Sequence, residues 1–264
     1  MIKILSFNIR YCTADDGENS WPFRKEMVIE RIMAHNPDLL GLQECRENEQ
    51  ADYVRAQLPD YVFYGVRRGG CGEPSLEMAP VLYKRSSFEE LERGCFWLSE
   101  TPDVPASQSW GSTFPRTVLW VRLKQKEDNG QELIFFNTHL DYASEAPYES
   151  ARLLRRRVED LCREMPIILC GDFNTVKDAP AYQALIEGDL SGKGLLSDTF
   201  RDANGNRGCE GTFHDFGREK HPRAIDWILS SPHFLTLEAE VDHFRSGSCY
   251  PSDHYPIWAV VKFK

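Results

Sequence analysis

The stretch Pro166-Ile167-Ile168-Leu169-Cys170-Gly171-Asp172-Phe173-Asn174-Thr175 limits what this chain can fold into more than any other. Ile167 to Cys170 form an apolar, partly β-branched run, long enough for a central strand and too short for a helix. Gly171 lets the chain turn where a side chain would obstruct it. Asp172 and Asn174 sit two apart, so an extended backbone carries both to one side. An acid and an amide at the end of a buried strand suit a hard cation or a phosphoryl oxygen. Taken alone, the same pair suits an Asx turn that merely ends a strand.

The pattern recurs. Asp38 to Glu44 is a second apolar run with a carboxylate at its C-terminal tip, and Lys3 to Arg10 alternates Leu5, Phe7 and Ile9 against Ser6, Asn8 and Arg10. Pro22 opens a helix with Val28, Ile29, Ile32 and Met33 inward, and Asn36-Pro37 stops it. A helix is expected over 52–58, strands over 61–66 and 79–83, and a glycine-rich loop over 67–78. Residues 96–114 read as a loop whose Trp97 and Trp110 either pin it to the body or stack on a substrate. A strand over 117–123, a turn at Asp128-Asn129-Gly130 and a strand over 132–137 make a hairpin. Residues 149–164 form an amphipathic helix with Leu153, Leu154, Val158 and Leu161 inward and Arg155, Arg156 and Arg157 solvated. A helix over 181–186 and strands over 211–216, 224–230, 237–244 and 255–263 complete the chain. This order implies an α/β protein of two packed sheets with helices outside, one domain over residues 1–264.

Charge narrows the partners. With 31 Lys+Arg against 41 Asp+Glu, the net charge of −10 argues against holding nucleic acid by bulk attraction, while a small anion or a local basic rim stays open. No signal peptide and no apolar span long enough for a membrane is seen, so a cytoplasmic protein is expected. The 8 cysteines include no C-x-x-C pair. Reduced thiols fit better than zinc or disulfides, and Cys170 reads as a buried small hydrophobe.

Strand ends therefore carry Asn8, Glu44, Asn137 with His139, Asp172 with Asn174, and Ser252-Asp253-His254, and Asp226 lies between Ile225 and Trp227. In this order, Leu5-Ser6-Phe7-Asn8, Leu42-Gln43-Glu44, Asn137-Thr138-His139, Gly171-Asp172-Phe173-Asn174, Ile225-Asp226 and Ser252-Asp253-His254 resemble the successive signatures of the endonuclease/exonuclease/phosphatase superfamily. It includes pancreatic-type deoxyribonucleases, abasic-site endonucleases, inositol polyphosphate 5-phosphatases, bacterial sphingomyelinases and nocturnin-like deadenylases. The resemblance implies a four-layer α/β/β/α sandwich with its site at one end of the sheets.

It also implies roles. Glu44 would be the principal carboxylate ligand of Mg²⁺ or Mn²⁺, helped by Asn8 and Asp253. His254 would be the general base, held by Asp226. Asp172 and Asn174 would orient the nucleophile and bind a phosphoryl oxygen, and His139 would donate to the phosphate. Arg116, Glu77 and Asn137 would serve the substrate phosphate, Glu77 by pairing with the histidine.

Blander readings stand beside these. His139 and Asn8 can be core polar groups, His214 can face the site but reads better as a loop histidine, and Arg10, Arg67, Arg68 and Arg223 either line an anionic substrate or are solvated. The implied activity is metal-dependent phosphoester hydrolysis on a nucleotide, an oligonucleotide (single-stranded nucleic acid included) or a small phosphorylated metabolite. An inositol-phosphate or lipid phosphoesterase and a non-catalytic binding module of the same fold are the alternatives.

Overall fold

The computed structural model describes residues 1–127, 130–143, 145–162, 165–186, 196–205 and 210–264. In chain order these form β1 (Ile2–Asn8), α1 (Trp21–His35), β2 (Leu39–Gln43), β3 (Cys45–Arg46), α2 (Glu49–Gln57), β4 (Tyr61–Tyr64), β5 (Glu77–Met78), β6 (Val81–Lys84), β7 (Phe88–Trp97), β8 (Thr117–Gln125) and β9 (Glu132–His139). Then come α3 (Ala146–Cys162), β10 (Ile167–Asp172), α4 (Pro180–Ile186), β11 (Ser197–Asp198), α5 (Thr199–Asn204), β12 (Asp226–Ser230), β13 (Phe234–Val241) and β14 (Ile257–Phe263).

Two six-stranded sheets result, ordered β13-β14-β1-β2-β6-β4 and β11-β12-β10-β9-β8-β7. Both are mixed. β1 runs parallel to β2, and β9 parallel to β10, while their other neighbours are antiparallel. Between the sheets, Ile2, Ile4, Leu39 and Val81 meet Leu119, Phe135, Ile168 and Ile228. The opposite side of β1 and β2 (Leu5, Phe7, Leu40, Leu42) packs against Val28 and Ile32 of α1 and Val54 of α2. Phe136 and Leu169 pack against Leu154 and Val158 of α3 and Leu185 of α4. These three apolar layers make the α/β/β/α sandwich.

Close approach explains the glycines in its middle. Gly171 lies inside β10 rather than at a turn, and a Cβ there would strike the Thr138 carbonyl. A Cβ on Gly41 would collide with Cys170 Sγ and the Asn137 side chain across the inter-sheet layer. Gly41→Ala is therefore expected to lower the unfolding free energy by about 1–3 kcal/mol in a urea titration. A change under about 0.5 kcal/mol would mean that the layer relaxes freely.

Several sequence expectations are corrected. α2 begins at Glu49 because the Asn48 side chain caps it, accepting from Gln50 N at 3.0 Å. The loop after Tyr64 contains β5, which pairs with β3. β7 was hidden because it is an edge strand with a charged exposed stretch and a bulge between Glu90 and Glu92. Trp97 ends that strand with its indole N–H donated to Arg68 O, and Trp110 packs on the core, so both rings pin rather than face a ligand. Residues 211–216 form no strand; Phe213 makes single bridges to Arg223 and His254 and leads into a 3₁₀ turn, Asp215–Gly217. Met33 and Leu161, expected inward, are exposed. The expected turn at Asp128-Asn129 and the far end of the 149–164 helix lie outside the described residues.

Candidate active site

Strand pairing gathers the polar residues at one end of both sheets. Asn8 ends β1 opposite Gln43, the residue before Glu44. Asp172 ends β10 with His139 opposite it on one side and Asp226 on the other. Ser252-Asp253-His254 precede β14, and Ser252 donates to Asn8 O at 2.7 Å, which fixes that segment against β1. The pocket so formed has a volume of about 600 Å³.

His254 is the centre. Its Nδ1 lies 2.8 Å from Asp226 Oδ2, while its Nε2 lies 3.7 Å from Asp172 Oδ2. All three residues are buried. Burial alone would lower the imidazole pKa, but the carboxylates of Asp226 and Asp172 outweigh it and push His254 up to about 10. Asp172 moves the other way. Burial opposes its charge, yet His254 and His139 hold the carboxyl below its ordinary range.

A pH dependence of stability follows for the metal-free protein. The folded state holds the His254 proton more tightly than the unfolded chain, whose value is near 6.5. The stabilisation is complete below that value and is lost as pH rises through about 10. EDTA-treated protein should lose unfolding free energy across this window, and His254→Gln should flatten the slope. An unchanged slope in the variant would assign it to other groups.

A second network surrounds His139. Asn174 donates its amide nitrogen both to His139 Nε2 at 3.0 Å and to Leu140 O at 3.0 Å. The Leu140 carbonyl fixes the amide orientation, so both Asn174 N–H groups are engaged within the protein, and His139 Nε2 also lies 3.4 Å from Asp172 Oδ2. His139 Nδ1 lies 3.4 Å from Glu77 Oε1. Burial works against the Glu77 charge, but His139, Arg68 and Arg116 draw its pKa down to about 2. Arg116 also reaches Asp141 Oδ2 at 3.2 Å, and Arg68 bonds Glu77 at 2.6 Å.

The donor set fits a small dication. Glu44, Asp172 and Asp253 all line the pocket as hard oxygen donors. Asn8 Nδ2 bonds both Glu44 Oε1 at 3.1 Å and Asp172 Oδ2 at 2.9 Å, so these two acids face a common point. Asp172, Asp226 and His254 also offer atoms within 4.8 Å of one another, although Asp226 and His254 are already joined by a hydrogen bond. Glu44 and Asp253 are the carboxylates of this set that could receive an ion without disturbing the Asp172, Asp226 and His254 group. Asn8 departs from its expected role: its oxygen accepts from Arg10 N, and its nitrogen faces the acids. Arg10 sits beside the acids, its Nη1 4.0 Å from Glu44 and 3.7 Å from Asp253.

Asn137 does not reach the pocket. It is fully buried between the sheets, donating to Leu42 O and Pro80 O and accepting from Gln43. Its amide bridges two sheets, so the phosphate-binding role is withdrawn. His214 is buried against Tyr255 at 3.8 Å between ring centres and does not line the pocket. The sequence reading missed Arg24, a buried guanidinium that donates to the carbonyls of Ile9, Arg10, Asn19 and Pro251 and so clasps the Asn8 segment to the Asp253 segment. Its only sequence signal was a charge inside the apolar stripe of α1. Arg10, Glu44 and Asn174 adopt left-handed backbones, with φ of 50°, 57° and 50°.

Residues 5–254 match the Endonuclease/Exonuclease/phosphatase family. An endonuclease/exonuclease/phosphatase from Bacteroides vulgatus superposes with a TM-score of 0.90 at 31% identity, covering 100% of this chain and 99% of that one. A mannosyl-6-phosphatase from Bacteroides thetaiotaomicron superposes at 0.88 with 33% identity, covering both chains fully at 100%. An uncharacterized protein of Acanthamoeba polyphaga mimivirus is 29% identical over 99% of this chain and 100% of its own length. This chain spans less than half the length of several other curated relatives that it matches.

Proposed function

Because the chain belongs to the Endonuclease/Exonuclease/phosphatase family, whose enzymes hydrolyse phosphoester bonds with a divalent metal, we propose that it is a Mg²⁺- or Mn²⁺-dependent phosphatase acting on a phosphomonoester of a small polyhydroxylated metabolite. One observation carries the choice of substrate size: a pocket of about 600 Å³ lined by His254 and Asp172 in a chain of net charge −10. That volume suits a small ligand. A polynucleotide would call for a basic track that the overall charge does not favour. The likeness to a bacterial mannosyl-6-phosphatase over the whole chain supports the same reading.

The side chains divide the work. A water between Asp172 and His254 gives its proton to Nε2, while Asp226 accepts from Nδ1–H and holds the ring in place. Arg116 donates to the phosphoryl oxygens, Asn174 holds the His139 ring beside them, and Glu77 keeps Arg116 and His139 in position. Glu44 and Asp253 would hold the dication, which when bound would stabilise charge on the phosphoryl group and oppose the carboxylate field that keeps His254 protonated. A cytoplasmic setting fits the six free thiols among the described residues.

The test is phosphate release by purified protein with Mg²⁺ or Mn²⁺. A panel of hexose phosphates, inositol phosphates and nucleotides is set against bis-p-nitrophenyl phosphate and a single-stranded oligonucleotide. Monoesters should lead diesters in kcat/KM by about a hundredfold. Faster diester cleavage would turn the reading into a phosphodiesterase. No turnover of any substrate with either ion would leave a binding module.

A further inference from the structure

The pocket is far larger than a phosphoryl group, so most of it must receive the leaving group, and one of its cations has no ion-pair partner among the described residues. Five described arginines line it: Arg10, Arg46, Arg68, Arg116 and Arg223. Arg10 pairs with Asp16 and Arg46 with Glu73, while Arg68 and Arg116 share Glu77. The Arg223 guanidinium makes no hydrogen bond or ion pair among the described residues. It lies only over the Phe213 ring, 4.7 Å from its centre.

That placement is built rather than incidental. Phe213 and Arg223 are bridged by backbone hydrogen bonds in both directions, at 3.0 and 3.1 Å, and Thr212 Oγ1 donates to Arg223 O at 3.1 Å. Directly paired residues project to the same side, so the pairing itself brings the guanidinium over the ring. Phe213 in turn meets the His254 imidazole edge-on, with centres 5.0 Å apart. An oriented guanidinium without an ion-pair partner among the described residues thus stands one aromatic ring beyond the imidazole of His254. Stacking leaves its N–H edges open to donate to a planar or tetrahedral oxyanion.

We infer that Phe213 and Arg223 form a leaving-group subsite that reads a second anionic group, a phosphate or a carboxylate, on the far side of the substrate from the scissile phosphate. This rests on the phosphomonoesterase reading and narrows it from small phosphorylated metabolites to doubly anionic ones. The ring packs the carbon skeleton and the guanidinium takes the charge.

Equilibrium binding separates this inference from catalysis. In a His254→Gln background, which suppresses turnover, calorimetry would compare a hexose 1,6-bisphosphate, a hexuronic acid phosphate and a hexose 6-phosphate. The two doubly anionic ligands should bind more tightly than the hexose 6-phosphate, and the bisphosphate against the uronate tells phosphate from carboxylate. Arg223→Ala should shrink that preference by about tenfold or more, and Arg223→Lys should restore part of it. The shrinkage should also weaken as salt rises, since the group is exposed. Equal weakening of all three ligands, an undiminished preference in Arg223→Ala, or no preference with Arg223 present would each overturn the subsite. Hydrolysis of hexose 6-phosphate by the unsubstituted enzyme is scored separately, so a failure of the phosphatase reading shows as absent turnover while the binding preference remains.

Discussion

His254→Ala is expected to reduce kcat on the best phosphomonoester by about a thousandfold, with KM changed by less than about threefold. The imidazole is buried, is oriented by Asp226 at 2.8 Å, and turns its other nitrogen toward Asp172 and the pocket. In the proposed reaction its loss removes a proton acceptor used only as the reaction proceeds, so the effect belongs in kcat. Asp226→Asn should follow closely, because an amide can offer Nδ1–H a donor where an acceptor is required and so favour the wrong tautomer. Steady-state kinetics with a melting curve for each variant checks this. A His254→Ala enzyme that is folded and keeps more than about a tenth of its kcat would remove the histidine from the reaction.

Glu44→Gln should abolish the dependence of activity on added dication and weaken Mn²⁺ binding, measured by calorimetry or electron paramagnetic resonance, by at least about a hundredfold. A folding measurement provides an independent reading. An ion that binds only the folded protein raises its stability by mass action, so the unsubstituted protein should melt higher with Mg²⁺ and the variant should not. The metal-free variant should be at least as stable as its parent. Glu44 is one of the charges that, after burial itself, push the Asp253 carboxyl up, and removing it relieves that repulsion. If Glu44→Gln binds Mn²⁺ as tightly as its parent, the ion belongs instead to the Asp172, Asp226 and His254 group.

The parts of this site that rest on chain periodicity were legible in the sequence. Glu44 and Asp172 each follow an apolar run, and two-residue alternation together with parallel pairing is enough to bring such tips to one end of a sheet. Asn137 shows where that logic stops. Its place in a motif pointed to the phosphate, but it faces the inter-sheet layer, where only the packing of one sheet on the other supplies its partners. Arg24 was missed for the same reason: the Ile9, Arg10 and Pro251 carbonyls that it holds come from segments adjacent only after folding. Which atom of Asn8 faces the acids, and which of Asn174 or His139 is the donor, depends on hydrogen bonds to backbone groups that no residue pattern encodes. Phe213 escaped because the segment around it is irregular, held by isolated bridges rather than a ladder.

The left-handed backbone at Glu44 has a consequence for anyone improving this protein. An L-residue with a side chain is disfavoured there, and glycine would adopt the same conformation with less strain. A library screened for heat resistance alone would be drawn toward glycine at position 44 and, on the role proposed for Glu44, would discard the activity in the process. Thermostabilising campaigns on this scaffold should therefore score hydrolysis in every round, because at this codon durability and turnover select opposite letters.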